Sequence, residues 1–259
     1  MGDIALTTVI FLVAAAFFAG FVDSIAGGGG LIQLPALLIG LPKTEIVTVL
    51  GTNKLASVFG TATAAGLYRR QIKPEPKVLI AMALPAFIGS AVGASLASRI
   101  PTSSMRPIVL TLLIAVAIYT WLKPDLGMIE LLKHHSTRRI QIAALAGAVI
   151  GFYDGIFGPG TGSFLMLVLV ASLGYAFITA SAIAKVVNVS TNLGALIIFG
   201  IHGAIIWKIG LALGAANVAG AVIGARLAIR GGSTMVRRVF LIVTIALIIK
   251  VGIDTFQSF

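Results

Sequence analysis

Residues 23–32 read Asp-Ser-Ile-Ala-Gly-Gly-Gly-Gly-Leu-Ile, and residues 154–163 read Asp-Gly-Ile-Phe-Gly-Pro-Gly-Thr-Gly-Ser, 131 positions further on. In both stretches an aspartate ends a long apolar run, a glycine-rich break follows, and a second apolar run begins. That second run is short. Leu31 to Leu41 covers 11 residues. At about 1.5 Å per residue this is roughly 16 Å of helix, against about 30 Å of bilayer hydrocarbon. A chain that breaks twice in corresponding places, each time beside a segment too short to cross, is an all-α integral membrane protein with a broken helix in each half.

The composition agrees. Of 259 residues 58% are hydrophobic and 10% charged, against about 25% charged in a soluble domain, and the mean hydropathy is +1.08. A soluble globular enzyme, a disordered tail and a coiled coil are excluded, and the length allows about eight to ten crossings. There is no Cys, so thiol catalysis, disulfides and iron–sulfur centres are unavailable. Three His offer little for a metal, and neither a metal nor a cofactor is expected. The formal charge of +11 fits basic cytoplasmic loops rather than nucleic-acid binding, because no basic face interleaves with aromatics. The first apolar run, residues 4–22, is no signal peptide: Asp3 stands where a basic region belongs, and a similar segment recurs inside the chain.

At the constant lag of 131, charged and glycine residues coincide. Asp23 falls on Asp154, Lys54 on Lys185, Lys77 on Lys208 and Arg106 on Arg237. Gly20, Gly27, Gly29, Gly89 and Gly93 fall on Gly151, Gly158, Gly160, Gly220 and Gly224. Charges are scarce here, so their coincidence indicates duplication. Each half divides into five apolar segments, expected at 4–22, 31–41, 46–68, 78–99 and 106–122, and at 140–157, 163–173, 177–201, 208–229 and 237–256. The first repeat is residues 1–122, the second 140–259, and residues 123–139 form a linker. Leu126, Met128, Ile129, Leu131 and Leu132 suggest a short surface helix in that linker. His134 and His135 there read as solvated loop residues.

If all five segments switch sides, the stretches 69–77, 123–139 and 226–238 share one face. They hold twelve Lys and Arg, against five on the other face. The positive-inside rule makes the richer face, including the linker, cytoplasmic. An odd number of segments per repeat inserts the second half upside down, which gives inverted-topology repeats. The expected location is therefore a membrane crossed several times, with the linker on its cytoplasmic face.

The residues able to meet a ligand follow from this plan. Glycines 27, 28, 29 and 30 and their counterparts Gly158, Gly160, Thr161 and Gly162 let backbone amides face a guest without a Cβ in the way. The helix starts behind them add free N–H groups and partial positive charge. Lys54 and Lys185 lie in the third segment of each half, among Thr52, Asn53 and Ser57 or Asn188, Ser190 and Asn192. A Lys at mid-membrane costs about 2.5–3.5 kcal/mol on insertion scales, so it faces a polar interior. Asp23 and Asp154 are the matching acids, as proton sites or as structural partners of the lysines. Close helix packing is the alternative reading of the first glycine tract, and two helix-locking Asp–Lys pairs are the alternative for the charges. Gly89-x-x-x-Gly93, Gly147-x-x-x-Gly151 and Gly220-x-x-x-Gly224 read as packing faces. No P-loop or dinucleotide fingerprint exists, since no Gly-Lys-Ser/Thr and no strand context accompany the glycines.

The Asp23 to Ile32 stretch, Gly51-Thr-Asn-Lys54 and Gly158-Pro-Gly-Thr-Gly162 resemble the sulfite exporter TauE/SafE family of bacterial membrane proteins, over nearly the whole chain. The second-half motif is looser, with Pro159 and Thr161 interrupting the glycines. The resemblance implies a transporter of small, mostly sulfur-containing anions and makes the residues named above the candidate substrate-binding positions. The expectation is a secondary transporter, not an enzyme, that exports sulfite or an organosulfur anion by alternating access. An inside-negative potential expels anions at about 2.3 kcal/mol per charge per 100 mV, so export needs no coupling ion. An anion channel is the alternative, and a membrane-embedded enzyme a lesser one. The expected partners are the small anion and the lipid bilayer, with homo-oligomer formation left open.

Overall fold

The computed structural model describes residues 5–97, 114, 118, 120–122 and 125–256. Among these residues every regular element is a helix. Helix α1 spans Leu6–Ala26, α2 Gly30–Gly40, α3 Ile46–Gln71 and α4 Pro76–Leu96. The second half supplies α5 (Ser136–Ile156), α6 (Thr161–Leu167), α7 (Phe177–Ile201) and α8 (Trp207–Phe256). The expected segment 106–122 lies largely outside the described residues.

Local chemistry sets these limits. Helix α1 stops because Gly27 turns into the left-handed region, φ 79°, and its amide returns to the Asp23 carbonyl, the usual glycine C-cap. Helix α4 begins with Pro76 in its first turn, where a missing N–H costs nothing. Helix α6 continues as one π-helical stretch, Val168–Ser172, before Gly174 ends it at φ 82°. The two expected segments 208–229 and 237–256 are two successive helices, the arms of α8, separated at Gly232, whose φ of 62° and ψ of −162° are not helical.

Among the described residues five helices are long and apolar enough to cross a membrane, and α2 and residues 161–172 are the shorter apolar ones. Outward residues form lipid-facing stripes at helical spacing: Ile80, Leu84 and Ile88 on α4 are 63%, 60% and 55% exposed. Helix α3 differs. Its Thr52, Asn53, Lys54 and Thr61 are all buried, which only an interior helix tolerates.

The helices pack through glycines. A Cβ on Gly20, Gly220 or Gly224 would collide with the carbonyl of Asn217, Phe17 or Phe21, respectively, where α1 crosses the first arm of α8. A Cβ on Gly151, Gly89 or Gly93 would collide with the carbonyl of Ala86, Ala148 or Phe152, respectively, where α4 crosses α5. Each contact in one set is its counterpart in the other shifted by 131 residues, so each half's first long helix packs on the other half's fourth. Such reciprocity is what an approximate two-fold between like units produces. The small-residue motifs are packing faces, as their spacing suggested.

The linker corrects one expectation. Residues 125–128 form a turn and 129–135 are not helical. Gly127 takes φ 68°, which breaks any helix there. The Leu131 and Lys133 amides instead donate to the Gly174 and Leu173 carbonyls, and the Phe177 amide to Gly127. The apolar spacing thus serves a strap across the C-terminal end of the broken second-half segment. His134 and His135 are exposed.

Candidate functional site

The end of α1 is tied down by side chains from three other helices. Tyr68 Oη donates to the Ser24 carbonyl at 3.0 Å, Ser181 Oγ to Ile25 at 3.3 Å and Ser163 Oγ to Ala26 at 3.1 Å. These are last-turn carbonyls that have no partner within a helix, and away from water each needs one. The glycine break that follows is therefore held in place. At the end of α5, Tyr153 Oη donates to the Pro159 carbonyl at 2.5 Å.

The two breaks touch. A Cβ on Gly162 would come within 2.5 Å of the Gly27 Cα. The equivalent residues Gly27 and Gly158 share a left-handed backbone, at φ 79° and 90°. Gly160 is also left-handed, at φ 86°, whereas its equivalent Gly29 is at φ −58°. Pro159 and Thr161 flank Gly160 in the second break, where Gly28 and Gly30 flank Gly29 in the first.

The lysines cross over. Lys54 Nζ meets Asp154 Oδ2 at 2.5 Å, and Lys185 Nζ meets Asp23 Oδ2 at 3.1 Å. Each lysine therefore pairs with the aspartate of the other half. Lys185 Nζ also donates to the Asp23 carbonyl. Thr161 Oγ1 lies 2.7 Å from both Asp154 Oδ1 and the Gly158 carbonyl. The Gly29 amide donates weakly to Asp23 Oδ1, at 3.4 Å. Two opposite pairs leave the charges of this region matched.

Between the breaks lies a cavity of about 20 Å³, room for one water molecule. Of the sequence-predicted positions, Gly27, Gly30, Asn53, Lys54, Gly158, Gly160, Thr161, Gly162 and Asn188 line it, as do Asp23 and Asp154. Gly28, Gly29 and Lys185 do not. Gly29 serves packing, since a Cβ there would strike the Ala19 carbonyl and Asp23. Lys185 has no exposed surface and reaches the region only through Asp23.

Ser57, Thr61 and Asn192 line the cavity as well; Ser57 and Asn192 stand among the polar neighbours of the lysines in the sequence, and Thr61 was not singled out. Its signal was present. Lys54, Ser57 and Thr61 repeat the spacing of Lys185, Asn188 and Asn192, three and seven residues along one helix face. Among the described residues the cavity wall therefore offers hydroxyls, amides and one ammonium, beside the Asp23 and Asp154 carboxylates. The Gly30 and Gly162 amides, in the first turns of their helices, have no backbone acceptor among the described residues. Asn53 Oδ1 is buried without a partner. Behind Asn53, Gln33 Nε2 donates to its carbonyl at 3.4 Å, and Asn217 Nδ2 donates to Gln33 Oε1 at 2.6 Å. The second half has no such relay, since Ala184, Phe164 and Ala86 stand at the equivalent positions. No group of three or more His, Asp or Glu that could hold a metal occurs among the described residues.

Comparison with known proteins places this geometry in context. Residues 12–251 match the family described as sulfite exporter TauE/SafE. A protein of a Sinorhizobium species, named "Probable membrane transporter protein ORF9", is 41% identical over 255 residues, covering 98% of this chain and 96% of its own length. A "Probable membrane transporter protein" of Haemophilus influenzae is 34% identical, covering 97% of both chains. The "Probable membrane transporter protein YfcA" of Escherichia coli K12 is 36% identical, covering 95% of this chain and 90% of its own. No solved structure matches.

Proposed function

The chain belongs to the sulfite exporter TauE/SafE family, and from that premise we propose that it moves a small sulfur oxyanion, sulfite or an organosulfur anion, out of the cell by alternating access. It is a membrane transporter rather than an enzyme. The observation that carries the anion reading is the meeting of two glycine breaks around one cavity faced by the Lys54 ammonium, backbone amides and neutral donors, whose two carboxylates, Asp154 and Asp23, are each held by a lysine. Such a wall suits a small polyatomic anion, whose oxygens accept from several donors at once.

The cavity favours a carrier over an open channel. It has room for one water molecule, so a sulfur oxyanion enters only if the walls part. In the proposed cycle the two repeats, 1–122 and 140–259, are inserted with opposite topology and rock against each other around the site. The linker 123–139 faces the cytoplasm of a bacterial inner membrane, in keeping with the basic bias of its face. Export follows the membrane potential, which drives negative charge outward without a coupling ion.

The test is flux of sulfite and thiosulfate from liposomes holding the purified protein. The wild type is expected to release them saturably, and Lys54→Ala to lose that release. Unchanged rate and affinity in Lys54→Ala would remove the lysine from the site.

A further inference from the structure

Lys54 and Asp154 match their charges inside the cavity without any guest. Both line it, their side chains are only 3% and 2% exposed, and they meet at 2.5 Å. The other pair is arranged differently. Lys185 is off the cavity wall and is held by both the carboxylate and the carbonyl of Asp23. Among the described residues a single ammonium, that of Lys54, therefore faces the cavity, and a carboxylate already engages it. Asp154 has a second hold, because Thr161 Oγ1 lies 2.7 Å from its other oxygen. Lys54 has three N–H donors, so it can turn one to an incoming anion while Asp154 stays anchored through Thr161.

We propose that Asp154 is a built-in stand-in for the transported anion, which lets the unloaded carrier return across the membrane and makes this protein a uniporter rather than an obligatory exchanger. The inference rests on the cavity being an alternating-access anion site. An ammonium whose only counterion is the substrate is left unpaired when the substrate departs. In a cavity of about 20 Å³ it regains little hydration, and an unpaired buried charge is far costlier than a paired one. Such a carrier stalls until another anion arrives and can only exchange. With Asp154 on Lys54, and with Asp23 and Lys185 cancelling each other, the unloaded site keeps no unpaired ammonium and can reorient. Potential-driven export needs this property, because one-for-one exchange of like anions moves no net charge.

The experiment compares two fluxes of radiolabelled thiosulfate from proteoliposomes, with potassium and valinomycin clamping the potential. One is net efflux into anion-free medium, and the other is exchange against external thiosulfate. The wild type is expected to show both at rates within a few-fold of each other. In Asp154→Asn the ratio of net efflux to exchange, each measured on the variant itself, is expected to fall about tenfold or more. Asp154→Glu, which restores the charge, is expected to restore the ratio. A wild type that exchanges without net efflux overturns the proposal even if Asp154→Asn fails to fold, and so does an Asp154→Asn protein with the wild-type ratio. If the wild type shows neither flux, the transport reading falls together with it.

Discussion

Replacing Gly27 by alanine tests whether the contact between the two breaks shapes the site. Gly27 has φ 79°, and a Cβ there would fall within 3 Å of the Gly162 and Ser163 backbone. Backbone cannot step aside as a flexible side chain can. The left-handed conformation costs alanine about 1–2 kcal/mol, and forcing an extra carbon into a packed contact costs about 1–3 kcal/mol more. Two neighbours calibrate the result. Gly66, inside α3, has nothing within 4 Å of its would-be Cβ, so Gly66→Ala should gain up to about 1 kcal/mol from helix propensity. Gly158 has φ 90°, but the nearest atom to its would-be Cβ is Lys54 Nζ at 3.1 Å. Gly158→Ala should therefore pay the conformational cost and, by displacing the ammonium, weaken anion binding more than it weakens the fold. The assay is thermal unfolding in detergent with and without thiosulfate, beside liposome flux. A Gly27→Ala protein that melts and transports as wild type would refute the reasoning, since the breaks would then not be in contact.

Three further outcomes follow from the geometry. Lys54→Gln should destabilise the protein by about 3–5 kcal/mol by leaving the Asp154 carboxylate buried and unpaired; adding Asp154→Asn should recover stability but not flux, as denaturation and flux measured side by side would show. Asn217→Ala should cost about 1–3 kcal/mol, because Gln33 Oε1 loses the donor that meets it at 2.6 Å, and thermal unfolding reads this directly. The chain has no Cys, so a single cysteine placed at the exposed His135 should react with an impermeant maleimide only after the inner membrane is opened, and labelling of intact spheroplasts would reverse the proposed orientation.

Much of the fold is legible in the sequence because lipid imposes long apolar runs and shows every interruption. The breaks at Gly27–Gly30 and Gly158–Gly162, the short segments behind them and the buried lysines all stood out against an apolar background. The crossing of the pairs did not, because the lag of 131 relates Lys54 to Lys185 without saying which aspartate each one meets. Thr61 was hidden for another reason. Small hydroxyl residues are common inside helices, where they bond their own backbone, and Thr61 does donate to the Ser57 carbonyl at 2.7 Å. The linker misled because five apolar residues look helical whether they pack as a helix or as a strap. Only Gly127 and the backbone hydrogen bonds to Leu173 and Gly174 separate the two. Gln33, Asn53 and Asn217 come together from three helices, a meeting that no local pattern announces.

Selenate, an anomalous scatterer with the shape of a sulfur oxyanion, offers the most direct measurement, by diffraction from crystals of the purified protein grown with it. The expected result is one selenium peak between Gly27–Gly30 and Gly158–Gly162, within hydrogen-bonding reach of the Lys54 ammonium. A saturated protein whose only peak lies elsewhere, with Lys54 still closed on Asp154 and the two glycine breaks in unbroken contact, would contradict it.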